Sequence, residues 1–386
     1  MKKIILQAFL ICIFAYLPIC TYAQSRLRVS LLTCTPGEEL NETFGHSALR
    51  VIDSNSVTDH VYNYGTFNFE DKNFYLKFIK GKLKYFVNID QYQDFVFYYQ
   101  QTNRGITEQE LDLTLEEKQE IVAALKENLK EENKYYQYDF FLDNCTTRLR
   151  DILEKYKKPK PLLPAVMPAT FTFRNAIHQY LDDGQKNWSK LGIDILLGAK
   201  TDAVMTVEQQ KFLPDNLMHA LDAAKNVKLV SSFRQLHFFE KVKLKKVFFT
   251  PLVFSFSIVC FFIALAFIKN NKAKAFLKLL DFLLFFIVGL LGVLLIFMWF
   301  GTDHSMTKNN YNLLWASPIF FVYAFMMHTQ NKATKVFSAF IGIFFFLLLC
   351  SWFFLPQLMN NALLPFVFLL GWRAINIFLK SKIMEC

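Results

Sequence analysis

Apolar and polar positions follow two regimes along the chain. Up to about residue 246, short apolar stretches alternate with mixed charge, whereas Val247–Ile268, Leu277–Phe300 and Val336–Phe354 are long tracts with few charges. Ahead of both, Met1-Lys2-Lys3 opens an apolar run from Ile4 to Cys20, and Thr21-Tyr22-Ala23 precedes Gln24. A basic start, a short apolar run and small residues at Thr21 and Ala23 predict a cleaved secretory signal over 1–23. Ile19 stands where a lipidation signal at Cys20 wants a small residue, so lipidation there is the weaker reading.

A hydrocarbon core takes about 20 apolar residues per helix, and the last part of the chain offers five such segments, about 248–268, 277–300, 311–328, 335–355 and 361–379. With the preceding part exported, Lys269, Lys272, Lys274, Lys278, Lys332, Lys335, Lys380 and Lys382 fall on the cytoplasmic side and Lys308 on the outer side. That distribution satisfies the positive-inside rule. Signal and loop charges thus agree on a multi-pass protein of the cytoplasmic (inner) membrane, with a periplasmic domain and a cytoplasmic C-terminus.

The exported part reads as α+β. Arg26–Thr33 has a strand pattern, and Ser47–Asp53 with Val57–Tyr64 flank a turn at Ser54-Asn55 that sets His46 opposite Asn63. Thr114 and Glu117 form a capping box before Ile121, Leu125 and Leu129, which recur at helical spacing. Asp143 is read as the N-cap of a second helix with Cys145 in its first turn, and a proline-rich stretch, Lys157–Pro168, follows. Helical patterns at Thr172–Leu181 and Val207–Ala224 enclose Gly192–Gly198, an apolar piece too short to span a bilayer; it either packs in the core or rests on the membrane surface. The resulting division is a signal at 1–23, a catalytic domain at 24–155, a mostly helical accessory region at 156–246 and a membrane domain at 247–386.

Composition sharpens this picture. Of 386 residues, 53% are hydrophobic and 17% aromatic, with 44 Phe, which excludes an ordinary soluble or a disordered chain. The net charge of +10 sits largely beside the apolar spans, the placement of membrane-flanking loops rather than of a groove for phosphates, and argues against nucleic-acid binding.

Among seven cysteines only Cys34 and Cys145 belong to the exported part. They are open to two readings, a disulfide between them or a nucleophilic thiol at Cys145. A reactive thiol needs its pKa lowered, and a helix N-terminus and a nearby imidazole do this. His46, in Phe44-Gly45-His46-Ser47, is the candidate base, and Gly45 permits close backbone approach. These are the parts of a papain-like dyad in permuted order. Asn63 is the third member that fixes the ring, with His60 as its rival; a zinc site from His46, His60 and Cys145 is the less supported chemistry. No nucleophile elbow, phosphate loop or zinc-protease spacing occurs. The polar stretch Gly301–Asn312 lies on the same side as the dyad. Asp303, His304, Lys308 and Asn312 are candidates for holding a lipid head group or lipoprotein terminus, against a solvated loop. Arg148 and Arg150 are candidates for phosphate contact against a solvated helix face, and Asn144 for substrate binding. Arg373, toward the cytoplasmic end of the last span, is expected to snorkel.

The motifs Thr-Cys-Thr-Pro-Gly-Glu at 33–38, Phe-Gly-His-Ser-Ala-Leu-Arg at 44–50, Tyr-Asn-Tyr-Gly at 62–65, Asn-Arg at 103–104, Tyr-Asp-Phe-Phe-Leu-Asp-Asn-Cys-Thr-Thr-Arg-Leu-Arg-Asp at 138–151, Thr-Asp-His at 302–304 and Asn-Leu-Leu-Trp at 312–315 together resemble the Lnb family of lipoprotein N-acyltransferases from Bacteroidota. The His and Asn-Cys motifs also resemble NlpC-type hydrolases and lecithin retinol acyltransferase. The resemblance implies an α+β permuted papain-like (NlpC-type) extracytoplasmic domain followed by five transmembrane helices. It implies Cys145 as nucleophile and His46 as base, no metal and no cofactor. The reaction implied is transfer of an acyl chain from a membrane phospholipid, through a Cys thioester, to the α-amine of a diacylated lipoprotein. Two alternatives stand beside it: a membrane-anchored periplasmic cysteine peptidase or amidase acting on peptidoglycan, and a non-enzymatic scaffold with a Cys34–Cys145 disulfide.

Overall fold

The computed structural model describes residues 27–237, 247–329 and 331–383. The signal at 1–23 and the tail residue Cys386 lie outside the described residues.

Period-two alternation builds the exported part. Strands β1 (Leu27–Cys34), β2 (His46–Asp53), β3 (Thr58–Thr66), β4 (Lys84–Gln91), β5 (Ile106–Leu111), β6 (Tyr135–Gln137) and β7 (Val230–His237) form a sheet in the order β6-β4-β3-β2-β1-β5-β7, with every neighbouring pair antiparallel. Adjacent residues of a strand face opposite sides, so the sheet has two distinct cores. One face carries Val29, Leu31, Leu49, Val51 and Tyr62. The other carries Leu32, Cys34, Ala48, Val61 and Ile106.

Helices cover both faces. Helix α1 (Phe74–Ile79) precedes β4 in the chain, and α2 (Tyr92–Gln101) places Phe95 and Tyr99 on the second face. Helices α3 (Leu115–Asn128) and α4 (Cys145–Tyr156) cover the first face through Ile121, Leu125, Leu149 and Leu153. The capping box expected at Thr114 and Glu117 opens α3. Helices α5 (Phe173–Asp183), α6 (Asn187–Leu196) and α7 (Pro214–Asp222) follow. Leu217 and Leu221 of α7 join the first-face core and β7 completes the sheet beside β5, so the region after 155 is packed into the same layers.

The hairpin register differs from expectation. Leu49 pairs with Tyr62 and Val51 with His60, two residues away from the alignment that set His46 directly across from Asn63. The reason is a wider turn, which runs over Ser54–Val57 with Val57 at φ 53°, and whose Asn55 N–H donates to the Asp53 carboxylate. A slip of two preserves the faces, and His46 still reaches Asn63.

The C-terminal part is helical: α8 (Pro251–Phe267), α9 (Asn271–Phe300), α10 (Ile319–Met326), α11 (Lys332–Ser351) and α12 (Leu364–Ile383). Among the described residues three segments are long and apolar enough to cross a membrane, Asn271–Phe300, Lys332–Phe354 and Asn361–Leu379, and Pro251–Phe267 is a shorter apolar helix. The segment 311–328, expected as one span, is instead a 3-10 turn at Tyr311–Leu314 followed by the eight-residue α10. Pro318 lacks the N–H that a continuous helix needs there. Gly289 and Gly292 of α9 receive this segment so closely that a Cβ would collide with Phe321 N and Ala316 O.

Arg373 does not snorkel. It is buried and makes a bidentate pair with Asp281 of α9, Nε donating to Oδ1 at 2.7 Å and Nη2 to Oδ2 at 2.8 Å. An acid on the facing helix makes burial of the guanidinium tolerable where it would otherwise reach for the head groups.

Exported and helical parts are joined by hydrogen bonds rather than by a tether alone. Asp194 of α6 is nearly inaccessible; its carboxylate accepts from Arg174 Nη1 and His178 Nε2, each at 2.8 Å, and from Asn360 Nδ2 at 2.8 Å. Leu191, Ile195 and Leu196 pack on the membrane-helix core, so the apolar piece around Gly192–Gly198 docks on the helical domain.

Candidate active site

The site begins with a cap. Asn144, one residue later than the expected Asp143, is the N-cap of α4: its Oδ1 accepts from Thr147 N–H at 2.9 Å while Thr147 Oγ1 accepts from Asn144 N–H at 2.8 Å. Asp143 is engaged instead with Arg148, which donates to both carboxylate oxygens. Asn144 Nδ2 also donates to the Phe140 and Phe212 carbonyls, each at 2.8 Å. Its side chain is thus consumed in setting the helix start, which puts Cys145 at the first helical position, among the N–H groups that a helix leaves without internal partners.

His46 opens β2 directly after Gly45, whose φ of +76° and whose missing Cβ, which would lie 2.6 Å from Cys34 O, turn the chain into the strand. The His46 Nε2–H donates to Asn63 Oδ1 at 3.0 Å. Asn63 Nδ2 donates to Asp90 Oδ2 at 2.7 Å, and Asn88 Nδ2 to Asp90 Oδ1 at 2.8 Å. With Nε2 engaged, Nδ1 is the ring nitrogen left to the Cys145 thiol, with which the imidazole shares a hydrogen bond.

Burial pushes the Cys145 thiol up, but the His46 charge and hydrogen bond, the Ser47 N–H and the Thr146 hydroxyl outweigh it and bring the thiol down to about 7. Desolvation lowers the His46 pKa, and the Cys145 charge, its hydrogen bond and the bond to Asn63 more than offset this, so the ring sits above its ordinary value. Each group thus favours the charged form of the other. Cys34 is the contrast: burial raises its thiol to about 12. Both cysteines are free. Cys34 belongs to the second-face core and Cys145 to the first, so the disulfide reading does not hold.

Cys145, His46 and Asn63 open into a cavity of about 1000 Å³ walled by Phe44, Phe67, Tyr85, Phe95, Tyr138 and Phe140 among others. One wall is foreign to the exported part. Asp303, His304, Ser305, Met306 and Thr307, from the loop after α9, line it. Ser305 Oγ donates to Asp139 Oδ2 at 2.6 Å, Asp303 N–H donates to Lys80 O at 2.9 Å, and His304 Nε2 lies 3.1 Å from the carbonyls of Phe78 and Ile79.

Other expected residues lie elsewhere. His60 pairs with Val51 on the opposite sheet face and meets Gln91, because odd and even positions of β3 point apart; it joins neither His46 nor a zinc trio. Arg148 is closed into its Asp143 pair and stacks 3.5 Å from the Tyr136 ring centroid. Arg150 is bound to Asp151 and Glu208. Asn312 is buried, donating to the Asp194 and Ile195 carbonyls and accepting from Trp315, so it fastens α6 to the helical part and does not reach the cavity. Asp90 and Asn88 were missed, although the alternation Asn88-Ile89-Asp90 in a strand already puts two polar groups on one face.

Fold and site define a class: an antiparallel-sheet domain with a helix-borne thiol, a strand-borne imidazole and an orienting amide, seated on apolar helices. The family follows from comparison with family models. Residues 18–179 match the model described as the Lnb N-terminal periplasmic domain and residues 243–383 the model described as the Lnb transmembrane domain. Together these matches span well over half of the chain, which belongs to the Lnb family. No curated protein and no solved structure shows a significant match. A periplasmic domain with a membrane domain makes this a membrane protein, and the family suggests an enzyme with a function related to lipoprotein N-acylation.

Proposed function

We propose that the protein is a lipoprotein N-acyltransferase of the inner membrane. It takes an acyl chain from a phospholipid onto Cys145 and passes it to the free α-amine of a diacylglyceryl-modified N-terminal cysteine. The observation that carries this reading is the ionisable Cys145–His46–Asn63 line opening into an aromatic cavity, one wall of which is the loop leaving a membrane helix. A membrane-anchored peptidase or amidase acting on peptidoglycan needs an anchor but no such wall.

In the first half-reaction the Cys145 thiolate attacks the ester carbonyl. The C–S bond forms, the C–O bond breaks, and His46 gives its proton to the departing lysophospholipid oxygen. In the second, the neutral amine attacks the thioester, its proton passes to His46, and the thiolate leaves. N–H groups of the first turn of α4 face the oxyanion at both stages. Asn63, held by Asp90, keeps the ring turned toward the thiol.

The order His46 before Cys145, with the thiol on a helix packed against the sheet that carries the imidazole, supports a permuted papain-like (NlpC-type) domain centred on 24–155, with 156–246 bracing it and 247–386 as the membrane domain. Of the apolar helices α8 to α12, three are long enough to cross a membrane and α8 and α10 are shorter; the match of 243–383 to the Lnb transmembrane domain supports taking all five as the membrane domain. His328 Nε2 lies 3.1 Å from Lys278 O, which puts the α10–α11 connection level with the lysine-rich start of α9, away from the exported domain. That supports a cytoplasmic C-terminus.

The test is mass spectrometry of N-terminal lipopeptides from cells in which this protein, or its Cys145→Ala form, is the only candidate enzyme. The expected result is triacylated termini with the first and diacylated termini with the second. Diacylated termini in both, with both proteins present in the membrane, overturn the reading and bring the amidase forward.

A further inference from the structure

A second feature of the exported domain points at the bilayer. Between β3 and β4, the segment Phe67–Lys82 carries Phe69, Tyr75, Leu76, Phe78 and Ile79 exposed, Phe69 and Tyr75 at 70% and 76%. Five large apolar side chains so close together do not stay in water without a reason. Their position supplies one. The C-terminal end of α1 is hydrogen-bonded to the loop that leaves α9: Asp303 N–H donates to Lys80 O, and His304 Nε2 meets the Phe78 and Ile79 carbonyls. That loop starts at Gly301, directly after Trp299 and Phe300, which stack with ring centroids 5.2 Å apart at the end of a span long enough to cross a membrane. The exposed face therefore lies beside the end of α9 that carries Trp299 and Phe300, and aromatic residues gather at the level where a span leaves the hydrocarbon. Lys72, Lys80 and Lys82 lie in the same segment beside Glu70, with Lys77 paired to Asp71, a basic excess that suits anionic head groups above an apolar face.

The segment also leads inward. Phe78 stacks on Phe74 with centroids 6.2 Å apart, Phe74 meets Phe67 at 5.8 Å, Phe67 meets Tyr85 at 5.3 Å and Tyr85 stacks on Tyr138 at 4.3 Å. Phe67, Phe78, Tyr85 and Tyr138 line the same cavity as Cys145. An unbroken aromatic row thus runs from the exposed face to the thiol.

We propose that Phe67–Lys82 lies in the head-group layer of the outer leaflet and is the lateral doorway through which a lipid acyl chain passes from the bilayer into the cavity. The doorway half rests on the acyl-transfer reading; the placement half does not. A chain entering here slides over aromatic faces and keeps out of bulk water, so its methylenes are not exposed on the way to the thiol.

Two readouts on the full chain in vesicles of phosphatidylethanolamine and phosphatidylglycerol test this. In the first, a benzophenone amino acid replaces Tyr75 or, as control, Val57, which is 90% exposed in the far turn of the β2–β3 hairpin. Illumination is expected to attach lipid at 75 at least tenfold more than at 57; equal attachment, or none at 75, overturns the placement. In the second, Tyr75→Glu/Leu76→Glu is compared with the unsubstituted chain for acylation of Cys145, read by intact mass. Acylation by long-chain phospholipid in the vesicles is expected to fall at least tenfold, and acylation by dihexanoyl phosphatidylethanolamine dissolved as monomer to stay within twofold. Equal loss with both donors, or no loss with either, overturns the doorway. If the unsubstituted chain is acylated by neither donor, the acyl-transfer reading fails, and the cross-linking result still decides the placement.

Discussion

Asn63 and Asp90 are joined by a 2.7 Å hydrogen bond in which the amide nitrogen donates and the carboxylate accepts. The bond fixes which end of the Asn63 amide faces His46, since the nitrogen is already engaged and only Oδ1 is left to accept from the ring. A carboxylate three links removed from the thiol, through Asn63 and His46, therefore sets the tautomer of the base. Removing Asn63 by substitution with Ala loses that control and is expected to slow acyl-Cys145 formation about tenfold to a hundredfold, the kinetic equivalent of one hydrogen bond to a charged group. Asp90→Ala is expected to give a smaller loss in the same assay, single-turnover intact mass. A larger loss for Asp90→Ala than for Asn63→Ala would contradict this order of action.

The thiol's ionisation is separately measurable. Alkylation of Cys145 by iodoacetamide is expected to rise with pH through a midpoint of about 7. In His46→Ala the burial that raises the thiol stays and the imidazolium that lowers it goes, so the midpoint moves up toward or past the ordinary thiol value. An unchanged midpoint would remove His46 from the pair.

Asp194 predicts how the two parts stay docked. Burial raises its pKa, but His178, Arg174 and Asn360 outweigh that and hold it below the ordinary carboxylate value. A group whose folded pKa is depressed stabilises above its unfolded value, about 3.9, and loses that contribution as pH falls through the folded one. Thermal unfolding in detergent is expected to be insensitive to this group above about pH 5 and to weaken below about pH 4. Asp194→Ala, which leaves Arg174 its pair with Asp202 but takes the acceptor from Arg174 Nη1, His178 and Asn360, is expected to cost about 1–3 kcal/mol at neutral pH, and a Tm within a degree of the parent would exclude that role.

Arg373 and Asp281 make a parallel prediction inside the helical part. Arg373→Met alone leaves a buried carboxylate and is expected to lower stability by about 3–5 kcal/mol. The double replacement Arg373→Met/Asp281→Leu is expected to recover most of it, as seen by denaturation in detergent. Failure of the double variant to recover would show that the pair does more than neutralise itself.

The sequence announced the sheet-and-helix domain, the apolar helices and the meeting of Cys145, His46 and Asn63. The reasons are local: a capping pattern, a strand alternation and a turn whose two-residue misplacement left the faces intact. What it concealed depends on distant partners. Asn312 and Arg373 look alike on the page, polar residues near apolar tracts, yet one is tied to α6 and the other to Asp281, and neither bond is encoded within a few residues. His60 and Asn63 stand three apart, and only the parity of the register tells which of them faces the thiol's imidazole.

The hydrogen bond from Ser305 to Asp139 ends on a carboxylate whose other oxygen accepts from the Phe141 and Leu142 N–H groups, closing the tight turn that leads into Asn144 and Cys145. Six positions separate that anchor from the nucleophile. The end of α9 is thereby tied to the turn that sets the Cys145 helix start, so under the proposed reaction a change in how α9 sits in a thinner or thicker bilayer is expected to be felt at the thiol through this turn.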